Sequence, residues 1–332
     1  MEALFGDYAR VPVAERARER RANGRVQGRS SLHDLDDSAC SRRRRSGDIR
    51  ERQAMVGRCT FGPVATLSKW RRLLASWDAQ QARYRPDREP ALRAMSDLVG
   101  RACPDGTPRV LDLACGCGSV TARLVEAVPS AHVLGIDRDP VLLRIAREIW
   151  ADDPRVVFEL ADLRDPGWKE RHGGGQFDAV VTAASLHWFE PDDLAGLYRA
   201  IASTLVPGGL FLNLDWIPIA RAPALQRLCD ESMRAWQQQM TPQRVGSSSP
   251  WQEWWALVLA DPDLAAETRA RHAMRLPRPA EFFADEDWHR SALTAVGFAE
   301  VAVIWRSLSS AIIAARKTDQ PGSGSFVDAP TM

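Results

Sequence analysis

The sequence predicts an α/β fold in which a doubly wound parallel sheet carries helices on both faces. Between residues 109 and 216, short runs such as "RVLDLA" and "FDAVVTAA" are apolar at nearly every position, as strands buried on both faces require. Segments with helical spacing separate these runs, the alternation of a doubly wound sheet. The first run breaks at two glycines in "VLDLACGCGSVTARL" (110–124) and resumes as a helix. Sheets of this kind bind ligands at such strand-to-helix turns.

The elements follow in order. "KWRRLLASWDAQQARY" places Trp70, Leu73, Leu74 and Trp77 on one helical face, and "EPALRAMSDLVGRA" forms a second helix after Pro86. Then come strand "RVLDLA", helix "GSVTARLVEAV", strand "HVLGID", helix "PVLLRIAREIW" and strand "RVVFELAD". Strand "FDAVVTAA", helix "PDDLAGLYRAIASTL" and strand "GGLFLNLDW" complete the alternation at Trp216. A tryptophan-rich stretch, 217–285, interrupts it and reads as a helical cap. Helix "DEDWHRSALTAVGF" and strands "AEVAVIW" and "LSSAIIAARK" close the core, the last two joined tightly enough to pair antiparallel. The expected organisation is therefore an extension (1–60), N-terminal helices (61–107), the α/β core (108–216), a cap (217–285), the end of the core (286–318) and a flexible tail (319–332).

Composition narrows the function. The chain has 332 residues and a formal net charge of +1, so bulk electrostatics does not draw it to nucleic acid or an anionic membrane. No uncharged apolar stretch reaches the length a membrane helix needs. Six scattered cysteines suit a reducing cytoplasm. The nearest pair, Cys115 and Cys117, has no second pair at zinc spacing, so no metal site is expected. The extension carries "SRRRRSG" at 41–47 among interspersed acids, which reads as a disordered segment, with a nucleic-acid arm as the alternative. Synthesis starting at Met55 is a further expectation, checked by N-terminal mass determination.

The ligand can be argued from three acids. The turn "ACGCGSVT" lacks the G-x-G-x-x-G dinucleotide fingerprint, because Thr121 stands at the third position. Gly116 and Gly118 permit a sharp turn with backbone close to a ligand. Asp112, just before the turn, suits a cationic group, or else bonds backbone amides of the turn. Asp137, ending the second strand, can accept from both hydroxyls of a ribose, or cap the next helix, although Asp139 is better placed for that. Asp162 can accept from an adenine amino group while Leu163 packs on the ring, or simply end its strand. An amino-acid end, an unphosphorylated ribose and an adenine together describe S-adenosylmethionine.

Five motifs in order, "VLDLACGCG", "GIDRDP", "ELADLRDP", "FDAVVTAASLHWF" and "LVPGGLFLNL", resemble the class I S-adenosylmethionine-dependent methyltransferases over about residues 70–316. "LHWFEPDDLAGLYRAIASTLVPGG" is similar to their bacterial small-molecule branch. The resemblance implies a seven-stranded sheet of order 3-2-1-4-5-7-6 with strand 7 antiparallel. It also implies that Asp112, Ala114, Gly116, Gly118 and Ala183 border the methionine end, Asp137 and Arg138 the ribose, and Asp162 and Leu163 the adenine. Ala114 stands where the family usually has its first glycine, and is expected to keep a negative φ. Tyr84 and Arg85 end the first helix, where Arg85 suits the cofactor carboxylate and a solvated helix end is the alternative.

Methyl transfer needs alignment, water exclusion and sometimes proton removal, so His187 is the candidate general base, or else a packing partner of Trp188. His187, Trp188, Trp216 and Trp254 are the expected acceptor contacts. An apolar or aromatic acceptor is expected if the cap tryptophans line the pocket, and none is implied if they only form the cap's own core. Competing readings are an inactive methyltransferase-like binding protein and, less favoured by the turn, a nicotinamide-dependent oxidoreductase.

Overall fold

The computed structural model describes residues 68–103, 106–172, 177–240, 249–274 and 281–318. The arginine-rich extension, Met55 and the tail after 318 lie outside the described residues, and so does any test of the expectations placed on them.

Seven strands form one sheet of order β3-β2-β1-β4-β5-β7-β6. They are β1 (Arg109–Leu113), β2 (His132–Asp137), β3 (Val156–Leu160), β4 (Phe177–Ala183), β5 (Leu205–Trp216), β6 (Phe298–Ser307) and β7 (Ser310–Lys317). Strands β1 to β5 pair in parallel, and β7 runs antiparallel between β5 and β6. The expected order and the reversed last strand are both found. Strand β5 starts three residues earlier than the motif suggests, taking in "LVP", and the register with β4 shifts between Phe177 and Ala179.

Side chains alternate between two cores. On one face Leu111, Leu113, Val180 and Phe211 pack with Leu197, Tyr198 and Ile201 of α5 (Pro191–Thr204) and Leu293 of α9 (Glu286–Ala295). On the other, Val110, Val181, Leu212 and Leu214 pack with Leu92 and Met95 of α2 (Arg88–Ala102) and with Leu124 of α3 (Ser119–Ala127). This alternation is why the strands read as continuous apolar runs: neither face meets water. It also assigns Asp112 to the α2–α3 side and Asp215 to the α5–α9 side, because successive strand residues point oppositely.

Helix α1 (Lys69–Tyr84) has the bounds its periodicity predicts. It starts against α4 (Pro140–Ile149), where Arg71 donates to the Ile149 carbonyl at 3.4 Å. Midway, Asp78 accepts from Ser119 at the first turn of α3, 2.6 Å away. Beyond the helix end, Arg85 donates to Ser310 at 2.5 Å, opposite Trp216 in the β5–β7 register. A buried ion cluster fixes the middle: Asp78 takes both Arg88 (2.8 Å) and Arg123 (2.5 Å), while Arg123 also reaches Glu89 (2.7 Å).

The insertion after β5 contains α6 (Pro223–Met240), α7 (Pro250–Leu259) and α8 (Ala265–Ala273). It packs on helices rather than forming a separate body. Trp254 meets Trp77 of α1 at 4.7 Å and Trp255 at 5.2 Å. Lys69 bridges Asp261 and Asp263 at 2.6 Å each, and Arg271 reaches Asp139 at the start of α4 at 3.0 Å.

One local expectation is overturned. Ala114 has φ +53°, left-handed rather than negative. The chain leaving β1 must reverse quickly, and Ala114, Gly116 (+57°) and Gly118 (+89°) all adopt positive φ to do so. Alanine carries a steric penalty there that glycine avoids. Ala114→Gly is expected to stabilise the fold by about 1 kcal/mol, the strain relieved outweighing added unfolded-state entropy; a urea midpoint equal to or below the parent's contradicts this.

Candidate functional site

The glycine turn and the end of β2 form one acid-lined edge. Asp112 is buried behind the turn, where its Oδ2 accepts the Thr121 backbone N–H (3.1 Å) and hydroxyl (2.7 Å). The turn-bonding alternative is thus realised for one oxygen. Its Oδ1 is buried with no donor among the described residues. Burial pushes Asp112 up to about 7 despite the Thr121 bonds, and the Asp137 charge adds to the rise.

Asp137 accepts from Gly116 N–H (2.8 Å) and Asp139 N–H (2.7 Å), one on each oxygen. Each oxygen keeps a second lone pair, so the carboxylate can still accept a diol. Burial pushes it up to about 6. Asp139, not Asp137, caps α4 by accepting from Val141 (3.0 Å) and Leu142 (3.4 Å).

The two glycines have different reasons. A Cβ on Gly116 would meet nothing nearer than Leu142 at 3.8 Å, so only its φ demands glycine. A Cβ on Gly118 would lie 2.6 Å from the Trp150 ring, so that glycine lets α3 sit against Trp150. Cys115 and Cys117 are buried in the same turn, and burial pushes both thiols well up, keeping them protonated packing groups.

Asp162 is less open than the sequence suggests. Its carboxylate is forked by Arg164, at 3.0 Å to Oδ1 and 2.5 Å to Oδ2, and Arg138 stands 3.6 Å away. The Arg164 bonds hold it below the ordinary carboxylate range. Leu163 is buried beside it, and Ala183 ends β4 partly exposed.

The second half of the edge is built around His187, in a single 3-10 turn (Leu186–Trp188) after β4. Its Nδ1 lies 2.8 Å from Asp215 Oδ1, and its backbone N–H donates to Asp215 Oδ2 at 3.2 Å. Asp215 Oδ1 also accepts from Trp216 N–H at 2.8 Å. Burial would push Asp215 up, but His187 and then Arg85 hold it at about 2. An ionised carboxylate only accepts, so the neutral ring carries its proton on Nδ1 and its lone pair on Nε2. Phe283 stacks on the ring at 5.3 Å, placed there by the Phe282 N–H, which donates to the His187 carbonyl at 2.8 Å. Trp188 lies 4.9 Å from His187 and Trp216 lies 6.5 Å from Phe283. His289, another buried histidine, pairs with the Tyr198 hydroxyl (2.6 Å) between α5 and α9, and burial pushes it down to about 4.

Asp112, Ala114, Gly116, Gly118 and Asp137 therefore come together, Arg138 and Asp162 meet beside them, and His187, Trp188 and Trp216 share the β4–β5 end. Arg85 stands on that β5 side, near Asp215 and Ser310. Tyr84 faces the insertion: its hydroxyl accepts from Trp251 N–H (3.4 Å) and its carbonyl from Gln237 (2.8 Å). Trp254 is buried between α1 and α7 with its indole N–H donated to Ser76 (3.0 Å), which makes it a packing residue rather than an acceptor contact. Sequence reasoning missed Asp215 and Phe283. The acid in "LNLDW" could have been found by asking of β5 what had been asked of β1, β2 and β3; Phe283 carried no signal.

The donor set fits S-adenosylmethionine: a buried carboxylate oxygen lacking a donor for an ammonium, and a second carboxylate with free lone pairs for a ribose. A family model described as a methyltransferase domain matches residues 110–209. A trans-aconitate 2-methyltransferase of Azoarcus sp. (strain BH72) is 32% identical over 187 residues, covering 56% of this chain and 68% of that one. One from Methylobacterium nodulans is 34% identical over 136 residues, covering 41% and 48%. An O-methyltransferase family protein from Burkholderia thailandensis superposes with a TM-score of 0.46 at 19% identity, covering 73% of this chain and 59% of its own. The chain spans about half to two thirds of the length of these curated relatives. With the five motifs, the sheet order and the acid-lined turn in place, the chain belongs to the class I S-adenosylmethionine-dependent methyltransferases.

Proposed function

We propose that the protein transfers the methyl group of S-adenosylmethionine to a small-molecule acceptor, with His187 as general base. The observation that carries the reading is the His187–Asp215 pair, 2.8 Å apart at the ends of β4 and β5, beside the acid-lined turn. When bound, the sulfonium cofactor supplies the electrophilic methyl group. Asp112 takes its ammonium, Asp137 its ribose hydroxyls, and Asp162 with Leu163 the adenine end, where Arg138 lies against the same carboxylate. Gly116, Gly118, Ala114 and Ala183 border the methionine portion. Arg85 contributes a cation near the acceptor, and α1 with the insertion excludes water.

The acceptor is apolar or aromatic in this reading, with Trp188 and Trp216 as contacts. The aromatic character comes from residues around His187 and not from the insertion's tryptophans, which Trp77 and Trp255 engage. No described helix is long and apolar enough to cross a membrane, and a cytoplasmic site of action is part of the proposal. The relatives named for trans-aconitate offer a carboxylic acid as the other acceptor class.

His187→Ala is expected to lower kcat on the order of 10²–10⁴-fold while leaving S-adenosylhomocysteine affinity unchanged by calorimetry. Unaltered turnover would remove the base role. Cell extract incubated with enzyme and isotopically labelled cofactor, read by mass spectrometry, identifies the product; calorimetry showing affinity for NADH and none for S-adenosylhomocysteine would sink the whole reading.

A further inference from the structure

The geometry points to a phenolic hydroxyl on a flat aromatic ring, and not a carboxylate, as the group methylated at this site. The inference rests on the methyl-transfer reading above and deepens it. Its starting point is the division of labour in the His187–Asp215 pair. Asp215 receives Nδ1–H of the ring and two backbone N–H groups, which fixes the ring plane and leaves Nε2 as the basic nitrogen. Asp215 is a positioning residue: it orients the imidazole and stabilises the imidazolium formed when His187 takes a proton.

A carboxylate acceptor has no use for that device. It is already ionised at neutral pH, so nothing needs to be removed. It would also approach a buried anion, Asp215, whose charge Arg85 offsets only once. An aliphatic hydroxyl fails for the opposite reason, since its acidity approaches that of water and an imidazole cannot ionise it usefully. A phenol, with a pKa of about 10, lies within reach of a positioned imidazole.

The walls agree with this class. Phe283 is nearly parallel to the His187 ring, with 17° between planes, while Trp188 is tilted by 44° on it and Trp216 meets Phe283 edge-on. These rings offer flat and edge contacts that an aromatic acceptor matches. In the step, the phenol O–H proton passes to His187 Nε2 and the oxygen pair forms the O–CH₃ bond. The methyl–sulfur bond breaks with its pair going to sulfur, which leaves as a neutral thioether, so atoms and charge balance.

The test uses the full chain loaded with S-adenosylhomocysteine and titrated with 4-nitrophenol at a pH where the free phenol is mostly protonated. The expected result is a shift of absorbance to the phenolate band on binding to the parent. The shift should be lost in His187→Gln and weakened in Asp215→Asn, whose folding is checked by thermal melting. With S-adenosylmethionine and a panel of substituted phenols, Asp215→Asn should lose on the order of 10²-fold or more in kcat/KM, with the acid limb of its pH profile displaced downward. Three results overturn the inference: nitrophenol bound without the shift, no phenol bound or methylated, or trans-aconitic acid esterified at a rate that His187→Gln leaves unchanged. Each is distinguishable from failure of the methyl-transfer reading, in which S-adenosylhomocysteine itself does not bind.

Discussion

Asp112→Asn is expected to melt at a higher temperature than the parent at pH 8 when free of cofactor, and to bind S-adenosylhomocysteine at least 100-fold more weakly. The two effects have one cause. Asp112 lies behind the glycine turn with one oxygen bonded to Thr121 and the other without a donor. Burial lifts its folded-state pKa from the ordinary 3.8 to about 7. The folded state thus binds a proton more tightly than the unfolded chain, and stability falls as pH rises. The contribution is complete below about 3.8 and lost by about 7, amounting to roughly 3–4 kcal/mol at 1.36 kcal/mol per unit. Asparagine keeps an acceptor for Thr121 and carries no charge to bury, so the variant escapes that loss. Its gain should shrink towards pH 5 and vanish near pH 4. The same substitution removes the anion that an ammonium would meet, hence the lost affinity. A melting temperature that responds identically to pH in both proteins would show that Asp112 does not titrate in this range.

Asp78→Ala is expected to cost about 3–5 kcal/mol, read as a fall in the urea midpoint, because it strands two buried guanidinium groups. Arg88 and Arg123 each expose only 10% of their side chains and both reach Asp78, which also accepts from Ser119 at the first turn of α3. Arg123 retains Glu89, but Arg88 loses the one ion-pair partner recorded for it. Because this cluster ties α1 and α2 to the helix that opens from the glycine turn, the loss should be local first. Limited proteolysis should cut within residues 69–84 before the sheet unfolds, and cofactor affinity should fall with it. Removing one partner is the damaging change; a loss under about 1 kcal/mol would mean the cluster behaves as a surface pair.

Much of this was legible in the chain. The apolar runs and helical spacings located α1 and β2 to the residue, and the reversed last strand followed from the family motifs. The three acids at strand ends were legible because strand alternation and the ligand rule for doubly wound sheets assign them to one edge without coordinates. Other features depended on distant partners. The backbone sign at Ala114 is set by how sharply the chain must leave β1, which a family pattern with one substitution does not reveal. Gly118 is required by Trp150, 32 positions away in sequence, rather than by a ligand. Trp254 looked like a pocket residue because composition cannot tell a tryptophan facing a ligand from one facing Trp77.

By itself, then, the sequence determined the sheet, its order and the acid-lined turn, since these rest on local periodicity and on groups within one strand-turn-helix unit. Only the tertiary structure decided which groups meet across elements: Asp215 with His187 over 28 positions, Phe283 on the same ring, and Asp78 with Arg123. The physical reason is that hydrogen bonds, ring stacking and ion pairs act over a few ångströms. Which side chains come that close is fixed by packing three layers of helices and sheet, not by their spacing along the chain.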